Sequence, residues 1–281
     1  YGFKGSEDLG NGVQLKFQLE QGFSGDTGAQ TDSAAAFNRL AWIGLSGDFG
    51  EVRLGRQKKP EYLLMNYETD PTGVKSIASP MNNFGDDAVR SSNALAYFTP
   101  KAHGLEGQFM IALREEPNQP RLLSWNAVTR YVNGELRAVL GYERTGKAGS
   151  PVVQKVVRGV VSYGIGKARY YVAYQGERTS DTLEKLRIYT VSASWLFNPK
   201  NQLSLLYGFA DDRSGQGNDG QQVGLLYQHI LSKRTQLYSA FGYLQNRNEG
   251  QFTLDGTQYK GITGAPGHDV KGINFGITHK F

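Results

Sequence analysis

Histidines and neighbouring carboxylates are the first residues of this sequence that could carry out chemistry. The four histidines are His103, His229, His268 and His279. No two of them have the spacing of metal ligands, and none stands in an HExxH motif. Adjacent carboxylates, which could act as general acid and base, occur at Asp86-Asp87, Glu115-Glu116 and Asp211-Asp212. Each pair falls in a polar segment between strand-like segments, where solvated charge is the simpler explanation.

Nucleophile and cofactor motifs are also missing from the sequence. The 281 residues include no cysteine, which excludes a disulfide scaffold, a cysteine zinc site and a cysteine nucleophile. Gly-x-Ser-x-Gly and phosphate-binding loops do not occur. We therefore predict no catalytic residue, no metal site and no cofactor. The net charge is +5, from 31 basic and 26 acidic residues, but the basic residues form no block, so we predict no nucleic-acid partner.

Polar side chains alternate with apolar ones along most of the chain. Between Val13 and Glu20 every second residue is apolar, and the same pattern recurs over residues 136–142, 168–174 and 202–209. A period of two predicts strands with one apolar and one polar face. Helical periodicity is nearly absent, although Tyr62–Tyr67 could form a short helix. No apolar run approaches the ~18 residues of a transmembrane helix.

The segments between these strands alternate between short turns and long polar loops. This alternation predicts an up-and-down antiparallel barrel with two unlike ends. About fifteen strands fit the pattern, and because closed bacterial barrels have an even number, we expect a further strand before Tyr1 and sixteen in all. No linker or change of composition divides the chain, so residues 1–281 are predicted to form one domain.

Alternation alone would also fit a soluble β-sandwich or a lipocalin-like barrel. Three features favour a membrane barrel. Strands near ten residues suit a tilted membrane crossing. The polar faces carry arginine and glutamine, where a soluble barrel would need a filled core. Aromatic residues such as Tyr97, Tyr174 and Trp195 stand at strand ends, as in interfacial girdles. The predicted fold is therefore an all-β transmembrane barrel.

Five segments carry distinctive motifs. They are Tyr1–Gly10, residues 39–57 (RLAWIGLSGDFGEVRLGRQ), 90–97 (RSSNALAY), 231–238 (LSKRTQLY) and 276–281 (GITHKF). Together they resemble the general diffusion porins of Gram-negative bacteria, and most of all the beta-proteobacterial branch, over residues 1 to 281. The final Phe281 resembles the assembly signal of outer-membrane proteins. The resemblance implies a homotrimer of sixteen-stranded barrels in the outer membrane, bordered by lipid and lipopolysaccharide, with the third long loop inside each pore.

That third loop is the connection Lys59–Val89, which exceeds ordinary loop lengths. In the family that the chain resembles, carboxylates of this loop face an arginine cluster on the barrel wall. The resemblance suggests Glu68, Asp70, Asp86 and Asp87 as the loop acids, and Arg39, Arg56 and Arg90 as the wall arginines. Alternation gives the same wall assignment if Leu40, Trp42 and Gly55 face lipid.

Alternation places further basic residues in the lumen, namely Lys16, Arg130, Arg137, Arg158 and Arg169. Arg53 has the opposite parity from Arg56 and lies beside a turn, so it is interpreted as an interfacial residue. Acids with lumen parity are fewer. We therefore predict a water-filled channel for passive diffusion of ions and small hydrophilic solutes, with a preference for anions.

Two other functions stay open at this point. A substrate-specific sugar channel would need aromatic residues along the lumen, where alternation places only Tyr171 as an example. An outer-membrane hydrolase would need an activated nucleophile, and Ser239 and His229 lie on neighbouring strands but in no recognisable motif. For the oligomer, the loop Ser24–Ala34 resembles the family's latch into the neighbouring subunit, which favours a trimer.

Overall fold

The strands and their bounds agree closely with the alternation in the sequence. The computed structural model describes residues 1–33, 35–85, 89–114, 122–146, 152–180, 185–255, 261 and 264–280. Its fifteen strands are β1 Gly2–Gly10, β2 Val13–Glu20, β3 Leu40–Gly47, β4 Gly50–Lys58, β5 Arg90–Phe98, β6 Leu105–Leu113, β7 Leu122–Asn133, β8 Leu136–Gly146, β9 Val153–Ile165, β10 Ala168–Thr179, β11 Lys185–Asn198, β12 Asn201–Asp212, β13 Gly220–Ile230, β14 Thr235–Asn246 and β15 Val270–His279. The all-β prediction is confirmed.

All fifteen strands belong to one sheet, and each pairs with its neighbours in chain order from β1 to β15. Every pair is antiparallel, as between Phe17 of β2 and Ile43 of β3. Within the described ranges, β1 and β15 are not paired with each other. The predicted count of fifteen strands is confirmed, and the strand expected before Tyr1 stays a prediction.

The outer face of the sheet is apolar and exposed. On β9, Val157, Val161 and Tyr163 are 41–51% exposed, whereas Val156, Arg158 and Val160 on the other face are buried. Aromatic residues lie near the strand ends on this face, including Trp195 and Phe197 with ring centroids 4.5 Å apart. Such a surface suits a lipid environment, because exposing this much apolar area to water would be unfavourable. None of the described helices has the length and apolarity to cross a membrane.

The side chains of strand β3 point to the opposite faces of the sheet from those that we predicted. Leu40 and Trp42 are only 6% and 9% exposed, whereas Ile43 is 49% exposed. The ladder pairs Trp42 with Gln18 on the inner face. Our expectation that Leu40 and Trp42 face lipid is therefore wrong. Both faces of β3 are apolar, so hydrophobicity could not set its register, and pairing with β2 sets it instead.

The same register changes the position of Arg53. Arg53 lies opposite Gly44 on the inner face, and its guanidinium carbon is 4.2 Å from the ring centroids of both Trp42 and Phe98. It also bonds to Glu51. The interpretation of Arg53 as an interfacial residue is wrong, because the inner face of β3 and β4 offers it aromatic rings and a carboxylate.

The long connection between β4 and β5 is folded inside the sheet. It contains a π-helical turn at Glu61–Met65, a helical turn at Asn66–Thr69 and a short helix at Pro80–Phe84. The helix Pro80–Phe84 starts at Ser79, whose hydroxyl accepts a hydrogen bond from the Asn82 amide, as an N-cap does. These segments contact the inner face of β7 to β13. A loop that leaves β4 and reaches β13 requires the sheet to curl around it.

An apolar core fixes this loop to the inner wall. From the loop, Met65, Ile77 and Met81 are at most 3% exposed. They pack in one cluster with inner-face residues, which are Val128, Val139, Val160, Ala173, Ile188, Leu206, Ala210, Leu226, Ala240 and Leu244. We call these ten residues the loop seat. Each buried aliphatic side chain contributes about 1.5–3 kcal/mol, so the loop is held firmly against one side of the lumen.

Candidate functional site

A cluster of basic residues lies where β2, β3, β4 and β5 end beside the loop. Arg39 stands one residue before β3, and its Nε donates to Oε1 of Glu20 at 2.5 Å. Lys58 and Arg90 are directly opposite each other on β4 and β5. Both are close enough to Glu20 to interact with its charge. We call Arg39, Lys58 and Arg90 the basic wall. It holds three cations around one carboxylate.

Arg56 lies beside this cluster, close enough to Arg90 for their charges to interact. In the ladder it is opposite Ala41, one position along from the Gly55–Trp42 pair of the inner face. Its Nε donates to the carbonyl of Asn38 at 2.6 Å. Its Nη1 donates to the Ser92 hydroxyl of β5 at 2.7 Å. The β4–β5 ladder is irregular between Gly55 and Gln57, so the lumen position of Arg56 stays a prediction. Gly55 faces inward, so alternation no longer supports that position, and the family resemblance remains its basis.

Glu68 forms ion pairs with two arginines of the barrel wall, one on β7 and one on β8. Its Oε1 accepts from Nη2 of Arg130 at 2.6 Å, and its Oε2 accepts from Arg137 at 3.3 Å. Arg130 also donates to Glu106 at 2.6 Å. Glu68 is 4% exposed. The structure thus brings together Glu68, Arg130 and Arg137, which were all predicted in the pore. Their ion pairs attach the loop to the wall, and these ion pairs cancel most of the charge of the three side chains.

Asp70 acts within the loop. One of its oxygens accepts from the amide and the hydroxyl of Thr72, at 2.7 and 2.6 Å, and the other accepts from the Ser79 hydroxyl at 2.6 Å. At 2% exposure, this carboxylate stabilises the turn and does not face open lumen. Asp86 and Asp87, the other two predicted loop acids, lie outside the described residues, and so does Phe281.

The remaining basic residues that we predicted in the lumen lie on the inner face with polar partners. Lys16 is 3.4 Å from Glu51, and Arg169 is 2.9 Å from Glu135. Arg158 is 2% exposed and donates to Gln175. These polar partners offset part of the charge of each basic residue. Each residue therefore contributes less to the electric field in the lumen than a simple count of basic residues would suggest.

A buried group of charges lies under the start of the loop. Lys59 is bonded to Glu143 of β8, and Glu61 is close enough to Glu143 and Arg158 to interact with their charges. Neither carboxylate oxygen of Glu61 has a hydrogen-bond partner within the described ranges. Burial, and then the charge of Glu143, raise the pKa of Glu61 to about 8. Glu61 is therefore mostly neutral at pH 7.

The side of the loop away from the seat carries two tyrosines and a lysine. Lys75 Nζ is 2.7 Å from the hydroxyl of Tyr67, 4.2 Å from its ring centroid and 5.0 Å from that of Tyr62. Tyr67 is 61% exposed. We call Tyr62, Tyr67 and Lys75 the tyrosine face. Sequence reasoning missed it, since no periodicity marks residues in an irregular loop.

Hydrogen bonding tunes the ionisation of this pair. The hydrogen bond from Lys75 lowers the pKa of Tyr67 below its usual value of 10.0. Burial alone would lower the pKa of Lys75, but its hydrogen bonds to Tyr67 and Tyr62 outweigh burial and raise it. Lys75 is thus a permanent cation at neutral pH.

The tyrosine face and the basic wall meet at Tyr62. The ammonium of Lys58 is 5.0 Å from the Tyr62 ring centroid, and Arg90 interacts with Tyr62 electrostatically. The arrangement can attract anions and offers them aromatic surface. The part of the chain that the structure describes gathers no three His, Cys, Asp or Glu residues as a metal site.

The fold and these facing surfaces define an outer-membrane channel with a loop across its lumen, and comparison with known proteins gives the same class. The model of the Gram-negative porin family matches residues 1–251, so the chain belongs to that family. It is a porin of the Gram-negative outer membrane, a channel and not an enzyme.

Individual relatives agree with the family. Outer membrane porin protein 32 of Delftia acidovorans is 30% identical over 302 residues, which cover 100% of this chain and 84% of the relative. Major outer membrane protein P.IB of Neisseria meningitidis serogroup B (strain ATCC BAA-335 / MC58) is 30% identical. The match covers 89% of this chain and 78% of the relative. The solved anion-selective porin from Comamonas acidovorans superposes with a TM-score of 0.84 at 27% identity, covering 100% of this chain and 88% of that one.

Proposed function

We propose that this porin prefers anions and that its constriction lies between the basic wall and the tyrosine face. The observation that carries the proposal is the charge on these two surfaces. Arg39, Lys58, Arg90 and Lys75 are cations, and Glu20 is the carboxylate among them. The loop acids Glu68 and Asp70 are buried and bonded. The anion selectivity of the Comamonas acidovorans porin supports the proposal.

The physical basis is the field of an uncompensated charge in a narrow pore. Two unit charges ~4 Å apart interact by about 1 kcal/mol in bulk water, and several-fold more where low-dielectric walls limit the water. A surplus of a few cations is therefore enough to favour chloride over potassium. The same geometry supports passive diffusion of many small hydrophilic solutes. The pore sorts solutes by their charge, and no closed pocket has to recognise their shape.

Reversal potentials in a KCl gradient test this proposal. The wild-type channel in a planar bilayer should favour chloride, and replacing Arg39, Arg90 and Lys75 by glutamine should shift the reversal potential toward potassium. Lys200→Gln is the matched control, since this exposed lysine of the β11–β12 turn belongs to neither surface. The proposal fails if the wild type favours potassium, or if the control and the triple variant shift equally.

We further propose that the whole chain forms one barrel domain and assembles as a homotrimer, with lipid and lipopolysaccharide around the outer face. The trimer form of Vibrio cholerae OmpT has the same fold, with a TM-score of 0.71 at 16% identity. The segment before Ser24 supports a contact between subunits, because Phe23 is 52% exposed beside Tyr1. Native mass measurement in mild detergent should give three chains, and monomers alone would count against the trimer.

A further inference from the structure

We infer that the tyrosine face and the basic wall together form a retention site for aromatic carboxylates, so that the constriction holds these solutes as they pass. The inference rests on the proposed anion preference and names a solute class for that site. It requires two things of the structure: cations that can bind a carboxylate, and aromatic surface beside them that is open to the lumen.

Several cations lie close to the Tyr62 ring. Lys75 and Lys58 each place an ammonium 5.0 Å from the Tyr62 ring centroid. Arg90 is near enough to Tyr62 to interact with it electrostatically, and its Nε has no hydrogen-bond partner within the described ranges. A carboxylate near Tyr62 would therefore meet two ammonium groups and a guanidinium.

The aromatic surface is provided by Tyr67. This residue is 61% exposed although it belongs to a loop whose other side is buried in the seat. Gly73 packs beside its ring without a side chain to cover it. Aromatic rings attract one another in offset or edge-to-face arrangements. A solute ring can thus rest against Tyr67 while its carboxylate reaches the cations.

This combination discriminates between anions. Chloride, phosphate and aliphatic carboxylates can use the cations alone, whereas an aromatic carboxylate can use both surfaces. Neutral aromatic molecules lack the charge that brings them to the site. We therefore expect benzoate to reside longer than cyclohexanecarboxylate, which has the same charge and nearly the same size but no aromatic ring.

Solute block of the chloride current tests the inference with the natural porin purified from outer membranes. Benzoate should reduce single-channel chloride current saturably, at a concentration about fivefold lower than cyclohexanecarboxylate, which reflects a typical aromatic contact. Benzyl alcohol and inorganic phosphate should be weaker than benzoate. Tyr67→Leu should abolish the difference between the two acids, whereas Tyr67→Phe, which keeps the ring, should preserve it.

The lipid-facing Tyr170, which is 50% exposed on the outer face, gives the matched control Tyr170→Leu, and this variant should keep the benzoate preference. Equal block by the two acids, or an unchanged preference in Tyr67→Leu with normal chloride conductance, would overturn the inference. The outcomes separate the two proposals. A wild-type preference for potassium defeats the proposed function, whereas chloride preference without benzoate retention defeats only the retention site.

Discussion

At the scale of single residues, Glu61 is the most strongly perturbed group of the loop. Its carboxylate is buried beside Glu143 and has a pKa of about 8, above the ordinary 4.5. A raised carboxyl pKa means that the docked loop favours the protonated form. Docking is therefore unaffected below about pH 4.5, weakens as the pH rises from there to about 8, and is constant above that.

Replacing Glu61 by glutamine should remove this penalty, because the amide has nearly the same shape and no charge. Each pH unit of the window corresponds to about 1.4 kcal/mol, so the gain at pH 7 is at most ~3.5 kcal/mol. Thermal unfolding from pH 5 to pH 9 measures it. The melting temperature of the wild type should fall across this range, and that of Glu61→Gln should fall less. The exposed Glu249→Gln is the control, and identical profiles for all three proteins would contradict the account.

Tyr67 should make the anion preference of the channel depend on pH, and reversal potentials measure this dependence. Its pKa is lowered by Lys75, so a negative phenolate forms in the constriction before pH 10. Anion preference should therefore decrease as the pH rises from 7 toward 10. Tyr67→Phe cannot ionise, so it should retain more of its chloride preference than the wild type. Reversal potentials that change equally with pH in both channels would refute this role.

At the scale of elements, glycines of the inner face allow the loop to approach the wall. A methyl group at Gly224 of β13 would overlap the carbonyl of Ala78, and one at Gly208 of β12 would overlap Pro80. Because the seat is closely packed, even one added carbon displaces the loop. The position of the constriction is thus set by residues that carry no charge.

Gly224→Ala should therefore lower stability by about 1–3 kcal/mol and alter the conductance. The control is Gly159→Ala on β9, since no atom lies within 4 Å of the added methyl group there. Denaturant midpoints and single-channel traces of the two variants give the comparison. If Gly224→Ala has the conductance and stability of Gly159→Ala, the loop is not held in this seat.

The strands could be predicted from the sequence where one face is apolar and the other polar, as in β2, whose bounds Val13–Glu20 match the alternation. The prediction failed where both faces are apolar. For this reason the side chains of β3 were assigned to the wrong faces of the sheet. The loop seat also left a signal in the sequence, because Val160 of β9 faces inward and Val161 faces outward. An inward valine in a water-filled barrel indicates that something packs against it.

The loop itself could be located but not interpreted. Its bounds follow from the end of β4 at Lys58 and the start of β5 at Arg90. Which of its side chains face the lumen depends on how the loop docks, which is a tertiary property. Glu68 and Asp70 were predicted as pore acids, and they serve to hold the loop. Tyr62, Tyr67 and Lys75 had no motif to mark them.

At the scale of the whole molecule, the net charge of +5 is a weak guide, because ion pairs such as Glu68–Arg130 cancel much of the charge on the inner face. Among the described residues, Arg39, Lys58 and Arg90 of the basic wall share one carboxylate, Glu20. Selectivity that arises from a few charges in water must depend on ionic strength. The Debye length is about 30 Å at 0.01 M salt and about 3 Å at 1 M.

The most direct test of the central claim is the reversal potential of the wild-type channel at a fixed KCl ratio, with the mean concentration raised from ~0.01 M to ~1 M, a range over which screening shortens about tenfold. We expect a clear preference for chloride in dilute salt that diminishes steadily toward 1 M. A preference for potassium in dilute KCl, or a chloride preference that does not change with salt, would contradict it.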